Sequence, residues 1–362
     1  MRILAGLGLL LLVGCQVPSR VALDGEGGRT AYNVAIQATN SKQMLLNLVR
    51  LRYADSPLFL DVSSITTQTM FRSAIAPVFP IPGFNSENPF KLGGDLSYQD
   101  QPIITYTPLE GPSFATRLLR PIDLHTIQLL CYSGWDIDRI FRMMIQNFED
   151  LANYPENSFL TAEEVPQYQS FIEALSLLRY FQKRGELQLG VKLKENKEEE
   201  SSEEVSLQIS FPKDGEQGSK LANLIHSKSS LHGKFVKEIS LGFNENGKMG
   251  IMPRSILSCM YHLSHGVQVP TEHVECGMVQ VSAEPQEGGD PIWKSIFSLI
   301  VVHSSRFPPK NAFVSVKYRD NWFYIDECDL SSKRTFALLL QLYNLNAIVP
   351  KNRGPILSLP LG

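Results

Sequence analysis

The sequence has no apolar run long enough to cross a bilayer as a helix, which requires about 20 consecutive apolar residues. The first run, from Ile3 to Val13, has roughly half that length. A later run, from Ile292 to His303, is also too short and contains Lys294. We therefore expect no membrane-spanning helix.

The sequence also lacks a strong charge of either sign, because its formal net charge is −3 over 362 residues. Proteins that bind nucleic acids usually present a strongly basic surface to the phosphates. We therefore expect no nucleic-acid partner. A predicted helix pair between Pro121 and Leu151 superficially resembles a helix-turn-helix motif, but we interpret it as part of the core.

The short signatures of several enzyme classes are absent as well. The sequence has no Gly-x-Ser-x-Gly elbow, no His-Glu-x-x-His zinc helix and no Gly-x-x-x-x-Gly-Lys-Ser/Thr phosphate loop. Ser210 and Lys213 have the Ser-x-x-Lys spacing of penicillin-recognising enzymes, but that nucleophile needs a helix and Pro212 ends a predicted strand. These absences favour a protein that is not an enzyme.

The beginning of the sequence is distinctive. Residues 1–14 match a secretory signal peptide: the positive residue Arg2, an apolar stretch and the small residue Gly14. The tetrapeptide Leu-Val-Gly-Cys that ends at Cys15 resembles the lipobox of bacterial lipoproteins. This resemblance implies cleavage before Cys15 and covalent lipid on that residue, with no other cofactor expected. The alternatives are an ordinary signal peptide or a buried first helix with an incidental cysteine.

The rest of the chain divides into three segments by composition and pattern. Residues 15–30 are rich in Gly, Pro and polar residues and are predicted to be a flexible tether. Residues 31–185 have mainly helical patterns with short strands, and residues 186–362 mix strands and helices without regular alternation. We expect an α+β fold, in which a helix-rich N-terminal half packs against a mostly antiparallel sheet with helices in the C-terminal half.

Periodicity predicts the main elements. Helical spacing of apolar residues predicts helices over 31–53, 121–151 with a short turn inside, 165–183 and 330–346. Alternation predicts strands within 56–71, a hairpin over 96–109 that turns at Gln99–Gln101, and antiparallel strands over 186–194 and 204–211. Residues 312–326 alternate on both sides of Asp320-Asn321, which predicts a tight hairpin there.

One predicted loop is unusually apolar. Residues 77–94 are rich in Pro and Gly, as loops are, but they also contain Phe79, Ile81 and Phe84. Large exposed apolar patches mark contacts with partners, so this loop is the candidate docking surface. In the alternative interpretation these side chains fold back onto their own core.

A group of cysteines and histidines recurs between residues 259 and 276. Cys259, His262 and His265 follow one another at three-residue intervals, and His273 and Cys276 come after a turn. Imidazole and thiolate are the ligands that zinc prefers, so His262, His265 and His273 are candidate metal ligands. The alternatives are a Cys259–Cys276 disulfide, thiols that are simply buried, and a His265 that caps the end of a helix.

A second group contains Asp326, Glu327 and Asp329. Paired carboxylates could act as general acid and base or bind a cation. They also stand just before a predicted helix, whose exposed amides stabilise negative charge. We favour the structural interpretation for this group.

Two stretches, LLNLVRLRY followed by PLFLDVSSITTQ in the first third and YIDECDLSSKRTFALL near the end, resemble a group of uncharacterised bacterial lipoproteins. In lipoproteins of this type the residue after the lipidated cysteine influences sorting, and Gln16 implies the outer membrane, where we expect the periplasmic face. We expect a protein anchored by its lipid that binds an envelope protein as a scaffold or accessory component. The alternative is a periplasmic hydrolase or a metal-binding enzyme.

Overall fold

The computed structural model describes residues 29–78, 91–153, 165–195, 203–242, 250–279 and 299–347. These residues form helices and antiparallel strands, so the predicted α+β class is confirmed. Among them, no helix is both long and apolar enough to cross a membrane. The predicted signal peptide and the lipidation residue Cys15 lie outside the described residues.

The helices and strands follow one another along the chain in mixed order. The helices are α1 (Arg29–Arg52), α2 (Pro112–Leu119), α3 (Leu124–Tyr132), α4 (Ile137–Met144), α5 (Val165–Lys183), α6 (Glu216–Leu224), α7 (Ile256–Ser264), α8 (Thr271–Glu275) and α9 (Leu330–Ala347). The strands are β1 (Phe59–Val78), β2 (Lys91–Leu109), β3 (Ile145–Phe148), β4 (Leu151–Ala152), β5 (Gln188–Glu195), β6 (Glu203–Pro212), β7 (Ser230–Leu231), β8 (Lys234–Ser240), β9 (Ile251–Pro253), β10 (His303–Ser305), β11 (Ala312–Tyr318) and β12 (Asn321–Asp326).

The chain folds into two compact units. The first contains residues 29–40 of α1 and Leu58–Leu109, and the second contains Ser41–Pro57 and the chain from Glu110 onward. The boundaries of these units differ from the boundary between residues 185 and 186 that the sequence suggested.

The first unit contains a long two-stranded ribbon. β1 and β2 pair antiparallel from Phe59 with Leu109 to Val78 with Lys91, with one irregularity between Val62 and Ser64. The turn predicted at Gln99–Gln101 is therefore wrong, since these residues lie inside β2 opposite Gln68–Met70. Residues 96–109 pair with β1 and not with each other, and a local pattern does not reveal the partner of a strand.

The described residues of the second unit form three small sheets. Their strand orders are β5-β6-β8-β7, β10-β12-β11 and β4-β3-β9. The antiparallel pairing of β5 with β6 confirms the prediction from alternation. The hairpin of β11 and β12 is confirmed too, but its turn is Arg319-Asp320, one residue earlier than predicted, because Tyr318 pairs with Asn321.

The helix pair α3 and α4 is shorter than predicted at both ends, since α3 begins at Leu124 and not at Pro121. Asp123 caps α3 by accepting a hydrogen bond from the Thr126 amide at 2.7 Å. The second helix was expected to continue to Leu151, which is wrong: α4 ends at Met144 and the chain continues as β3. β3 pairs with β9, so hydrogen bonds to a distant strand replace those of the helix.

The apolar faces predicted from helical spacing are buried in the second unit. They include Leu45, Leu48 and Val49 of α1, Phe171, Leu175 and Leu178 of α5, and Phe336, Leu339 and Tyr343 of α9. Burial of one such Leu, Val or Phe side chain contributes about 1.5–3 kcal/mol. The core therefore gathers side chains from both halves of the sequence.

Candidate functional site

The cysteines and histidines predicted as a metal group lie in different environments. Cys259 and His262 are buried in α7, whereas Cys276 is exposed after α8. Cys131, Cys259, Cys276 and Cys328 form no disulfide in the part of the chain that the structure describes, so the alternative of a Cys259–Cys276 disulfide is not present there. The Cys259 thiol belongs to the core and the Cys276 thiol faces solvent, which separates the two.

The three candidate metal ligands have separate roles in the structure. Burial, and then the nearby Arg254 charge, hold the pKa of His262 well below its ordinary value, so this imidazole is neutral. His265 Nδ1 donates to the Tyr261 carbonyl at 3.0 Å, in keeping with the predicted position at a helix end. Within the described ranges, no group of three or more His, Cys, Asp or Glu residues could hold a metal ion.

His273 belongs to a different group, which is the most site-like arrangement in the second unit. Its Nδ1 lies 2.6 Å from the hydroxyl of Tyr53. Around Tyr53 stand Asp55 and the hairpin residues Tyr318 and Arg319. We refer to Tyr53, Asp55, His273, Tyr318 and Arg319 as the Tyr53 cluster.

The end of α1 positions the first two members of the Tyr53 cluster. The amide of Tyr53 donates to the Arg50 carbonyl at 3.0 Å, and the amide of Asp55 donates to the same carbonyl at 2.9 Å. Between them, Ala54 has a φ of 58°, the left-handed conformation that commonly ends helices. This turn places Tyr53 and Asp55 so that both contact Tyr318 and Arg319.

The turn between β11 and β12 positions the other side of the Tyr53 cluster. Arg319 and Asp320 have φ values of 45° and 64°, as expected for a two-residue hairpin turn. Such positions usually hold Gly or Asn, so Arg319 is strained there. Its guanidinium compensates by donating to Asp55 Oδ2 at 2.9 Å and by lying 5.1 Å from the centre of the Tyr53 ring.

The electrostatics of the Tyr53 cluster keep Tyr53 neutral and Asp55 charged. Burial raises the pKa of Tyr53 to about 12, although the nearby Arg319 charge opposes this. The hydrogen bond from the Tyr318 hydroxyl, together with Arg319, holds the pKa of Asp55 below its ordinary value. At neutral pH the cluster therefore contains a neutral hydroxyl beside an imidazole, and a separate ion pair.

This arrangement differs from that of a catalytic triad. In a triad a carboxylate orients the imidazole that takes a proton from a nucleophile. Here the Asp55 side chain bonds Tyr318 and Arg319, and His273 bonds Tyr53. The Tyr53 cluster joins the end of α1, the β11–β12 turn and α8, so it is better suited to hold these elements together than to transfer protons.

The predicted acidic group serves the start of α9, in agreement with the structural interpretation. Asp329 accepts a hydrogen bond from the Ser332 amide at 3.0 Å, and Glu327 forms an ion pair with Lys333. Although partial burial acts to raise it, hydrogen bonds from Ser332 and Ser331 lower the pKa of Asp329. Asp326 accepts from the Cys328 amide at 2.8 Å.

Two polar groups with large structural roles were missed by the sequence analysis. Arg254 is 1% exposed and donates to the carbonyls of Arg142 at 3.3 Å and Ile145 at 2.8 Å, at the C-terminal end of α4. Asn153 Nδ2 donates to the same two carbonyls. Positive charge is favourable at this end of a helix. The one local signal is that Arg254 directly follows the apolar residues Met252 and Pro253.

The second missed group surrounds Asp136, the residue before α4. Its carboxylate forms ion pairs with Arg179 of α5 and, at 3.0 Å, with Arg334 of α9. Gln182 of α5 accepts from the Ile137 amide at 2.9 Å and so satisfies one of the free amides at the start of α4. Both arginines are distant from Asp136 in the sequence, so local spacing did not reveal this group.

The candidate docking residues Phe79, Ile81 and Phe84 lie outside the described residues. The structure describes the residues on either side, because Val78 and Lys91 form the last pair of the ribbon. Comparisons with protein families, with curated proteins and with solved structures found no match to this chain.

Proposed function

We propose that this chain is a lipid-anchored protein of the bacterial outer membrane that acts by binding, as a scaffold or accessory component of an envelope assembly. The lipobox-like tetrapeptide that ends at Cys15 supports the anchor. The proposed contact surface is the segment between β1 and β2, with Phe79, Ile81 and Phe84.

The observation that carries the binding proposal is the length of the ribbon. β1 has 20 residues and β2 has 19. At about 3.3 Å per residue, this gives a ribbon about 60 Å long. Its last pair, Val78 with Lys91, flanks the apolar segment, which supports a role for the ribbon in presenting this segment to a partner.

Exposed apolar side chains near the other end of the ribbon also support binding. Ile103, Ile104 and Tyr106 are exposed although they are large and apolar. Neighbouring side chains of a strand point to opposite faces. Since Ile103 and Ile104 are both exposed, both faces of the ribbon are accessible at this position. Exposed apolar surface of this kind is typical of regions that contact a partner.

The proposed anchor would hold the protein durably. Each buried methylene of an acyl chain contributes about 0.8 kcal/mol, and one chain alone gives only reversible binding. Two or three chains on Cys15 would keep the water-soluble part at the membrane. A periplasmic hydrolase has less support, since His273 is bonded to Tyr53 and the carboxylate of Asp329 begins α9.

Site-specific photocrosslinking in intact cells tests the contact surface. A photoreactive residue is placed at Phe84, and a matched control is placed at Phe307, which is 77% exposed in the second unit. We expect a protein adduct from position 84 and none from position 307. Equal labelling at both positions, or no adduct from position 84, would contradict the binding proposal.

Mass spectrometry of the native protein tests the anchor separately. We expect the first peptide to begin at Cys15 and to carry fatty acids. An unprocessed N-terminus, or a trimmed one without fatty acid, would exclude lipid anchoring whatever the crosslinking shows.

A further inference from the structure

The ribbon of β1 and β2 has two outer edges that no described strand covers. The sheet that contains these strands has the order β1-β2 alone. The outer edge of a strand presents unpaired amides and carbonyls, which can template pairing with another strand. A lone two-stranded ribbon is also only marginally stable in water, whereas sheets of three or more strands can be stable.

The two edges differ in their capacity for pairing. β2 contains Pro102 and Pro108. Proline has no amide hydrogen, so within sheets it is confined to edges and irregular positions. From Phe59 to Ala76, β1 has no Pro, Gly or Lys, and its charged residues are Asp61 and Arg72. β2 therefore carries prolines along the stretch that pairs with residues 60–67 of β1, whereas β1 has the composition of an inner strand up to Ala76 and carries a proline only near its end, at Pro77.

The register shows which backbone groups of β1 face outward. Thr67 pairs with Pro102, and Leu60 pairs with Pro108. In an antiparallel ladder, pairs that exchange hydrogen bonds alternate with pairs whose amides face outward. Because proline cannot donate, these two pairs belong to the second kind. The amide of Thr67 therefore faces the free edge of β1.

We infer that β1 is a dimerisation edge, at which β1 of a second copy pairs antiparallel to form a four-stranded sheet with the order β2-β1-β1-β2. A twofold axis brings the same edge of each copy to the other, so the backbone groups that meet are complementary. The proline-bearing β2 strands then lie outside and stop further addition. This closure favours a second copy over an open series of strands.

Sedimentation equilibrium of the purified full chain in density-matched detergent tests this inference. We expect a monomer–dimer equilibrium. Thr67→Pro removes one outward amide without breaking a hydrogen bond to β2, and should raise the dimer dissociation constant about tenfold. Asp100→Pro is the matched control, because Asp100 pairs with Thr69 and its amide faces the outer edge of β2. This control should leave the dissociation constant within about twofold of the parent.

Each other result overturns the inference. A parent chain that stays monomeric over the whole concentration series, or a dimer that resists Thr67→Pro, excludes pairing through β1. A loss of association in both variants indicates head-to-tail pairing of β1 with β2 instead. If circular dichroism shows that Thr67→Pro loses strand structure, Thr67→Lys replaces it, because an edge lysine discourages pairing while the amide is retained. The lipid is tested separately, so its absence would not affect this result.

Discussion

The hydroxyl of Tyr53 lies 2.6 Å from Nδ1 of His273, although 220 positions separate the two residues in the sequence. The bond connects the end of α1 to the short helix α8. Tyr53→Phe keeps the ring and removes this bond, so we expect the free energy of unfolding to fall by about 1 kcal/mol. Urea denaturation measures the change. Tyr324→Phe is the control, because its ring packs against His303 and its hydroxyl has no hydrogen bond to the described residues. An equal loss in both variants would contradict this role.

Asp55 should make stability depend on acidity. Its folded pKa is lower than that of a free carboxyl, because Tyr318 donates to it and Arg319 pairs with it. A depressed carboxyl pKa contributes stability above the unfolded value, and this contribution is lost as the pH falls through the folded pKa. We therefore expect Asp55→Asn to destabilise the protein at pH 7 and to have a smaller effect below about pH 4. Urea midpoints of the parent and of Asp55→Asn, compared across this pH range, measure the effect. A difference between the two that does not change with pH would contradict the assigned role of the Asp55 carboxylate.

The buried Arg254 should be required for stability. Arg254→Met keeps the length of the side chain but leaves the carbonyls of Arg142 and Ile145 with fewer donors. We expect a loss of about 3 kcal/mol in the free energy of unfolding. Arg184→Met is the control, since Arg184 is exposed and solvent screens its ion pair with Glu186. Similar losses in the two variants would show that burial of Arg254 does not matter.

Asp136 and Asp138 form a matched pair at the start of α4. Asp136 is largely buried and pairs with Arg179 and Arg334, whereas Asp138 is 3.8 Å from Arg179 and more exposed. Asp136→Asn should lower the free energy of unfolding by about 2 kcal/mol, because two arginines lose their shared partner. Asp138→Asn should change it by less than about 1 kcal/mol. Thermal or urea unfolding distinguishes the two, and the reverse order would refute the assigned roles.

The four described cysteines should differ in their reactivity. Burial raises the pKa of Cys131 to about 12, and Cys259 is also buried, whereas Cys276 and Cys328 are exposed. Alkylation of the native protein followed by peptide mass spectrometry should label Cys276 and Cys328 first. Cys131 and Cys259 should react after unfolding. A Cys276 that reacts only after reduction would restore the Cys259–Cys276 disulfide that the structure lacks.

Patterns within one element were predicted well from the sequence. The helix over Val165–Lys183 has the bounds that its spacing indicated, and its inward residues Phe171 and Leu178 are buried. The alternation that predicted β5 and β6 also gave their antiparallel pairing. In each case the signal lies in neighbouring residues, because the period of a helix or strand decides which side chains share a face.

Contacts between distant residues were not predicted. Nothing near Ile145 indicates that Ile251–Pro253 will pair with this stretch and turn the expected end of a helix into β3. The candidate metal ligands His262 and His273 lie in different environments for the same reason. His273 is hydrogen-bonded to Tyr53, whereas His262 is buried in the core. Hydrogen bonds and burial with remote partners outweigh the small energies of local preference.

The sequence by itself determined the α+β class, the buried faces of the helices and the position of Asp329 at the start of α9. Only the tertiary structure decided that β1 and β2 form one long ribbon, that Arg254 holds the end of α4, and that four residues gather around Tyr53. The first set depends on residues within a few positions of one another. The second depends on which remote backbone and side-chain groups meet when the chain folds, and no local period records that.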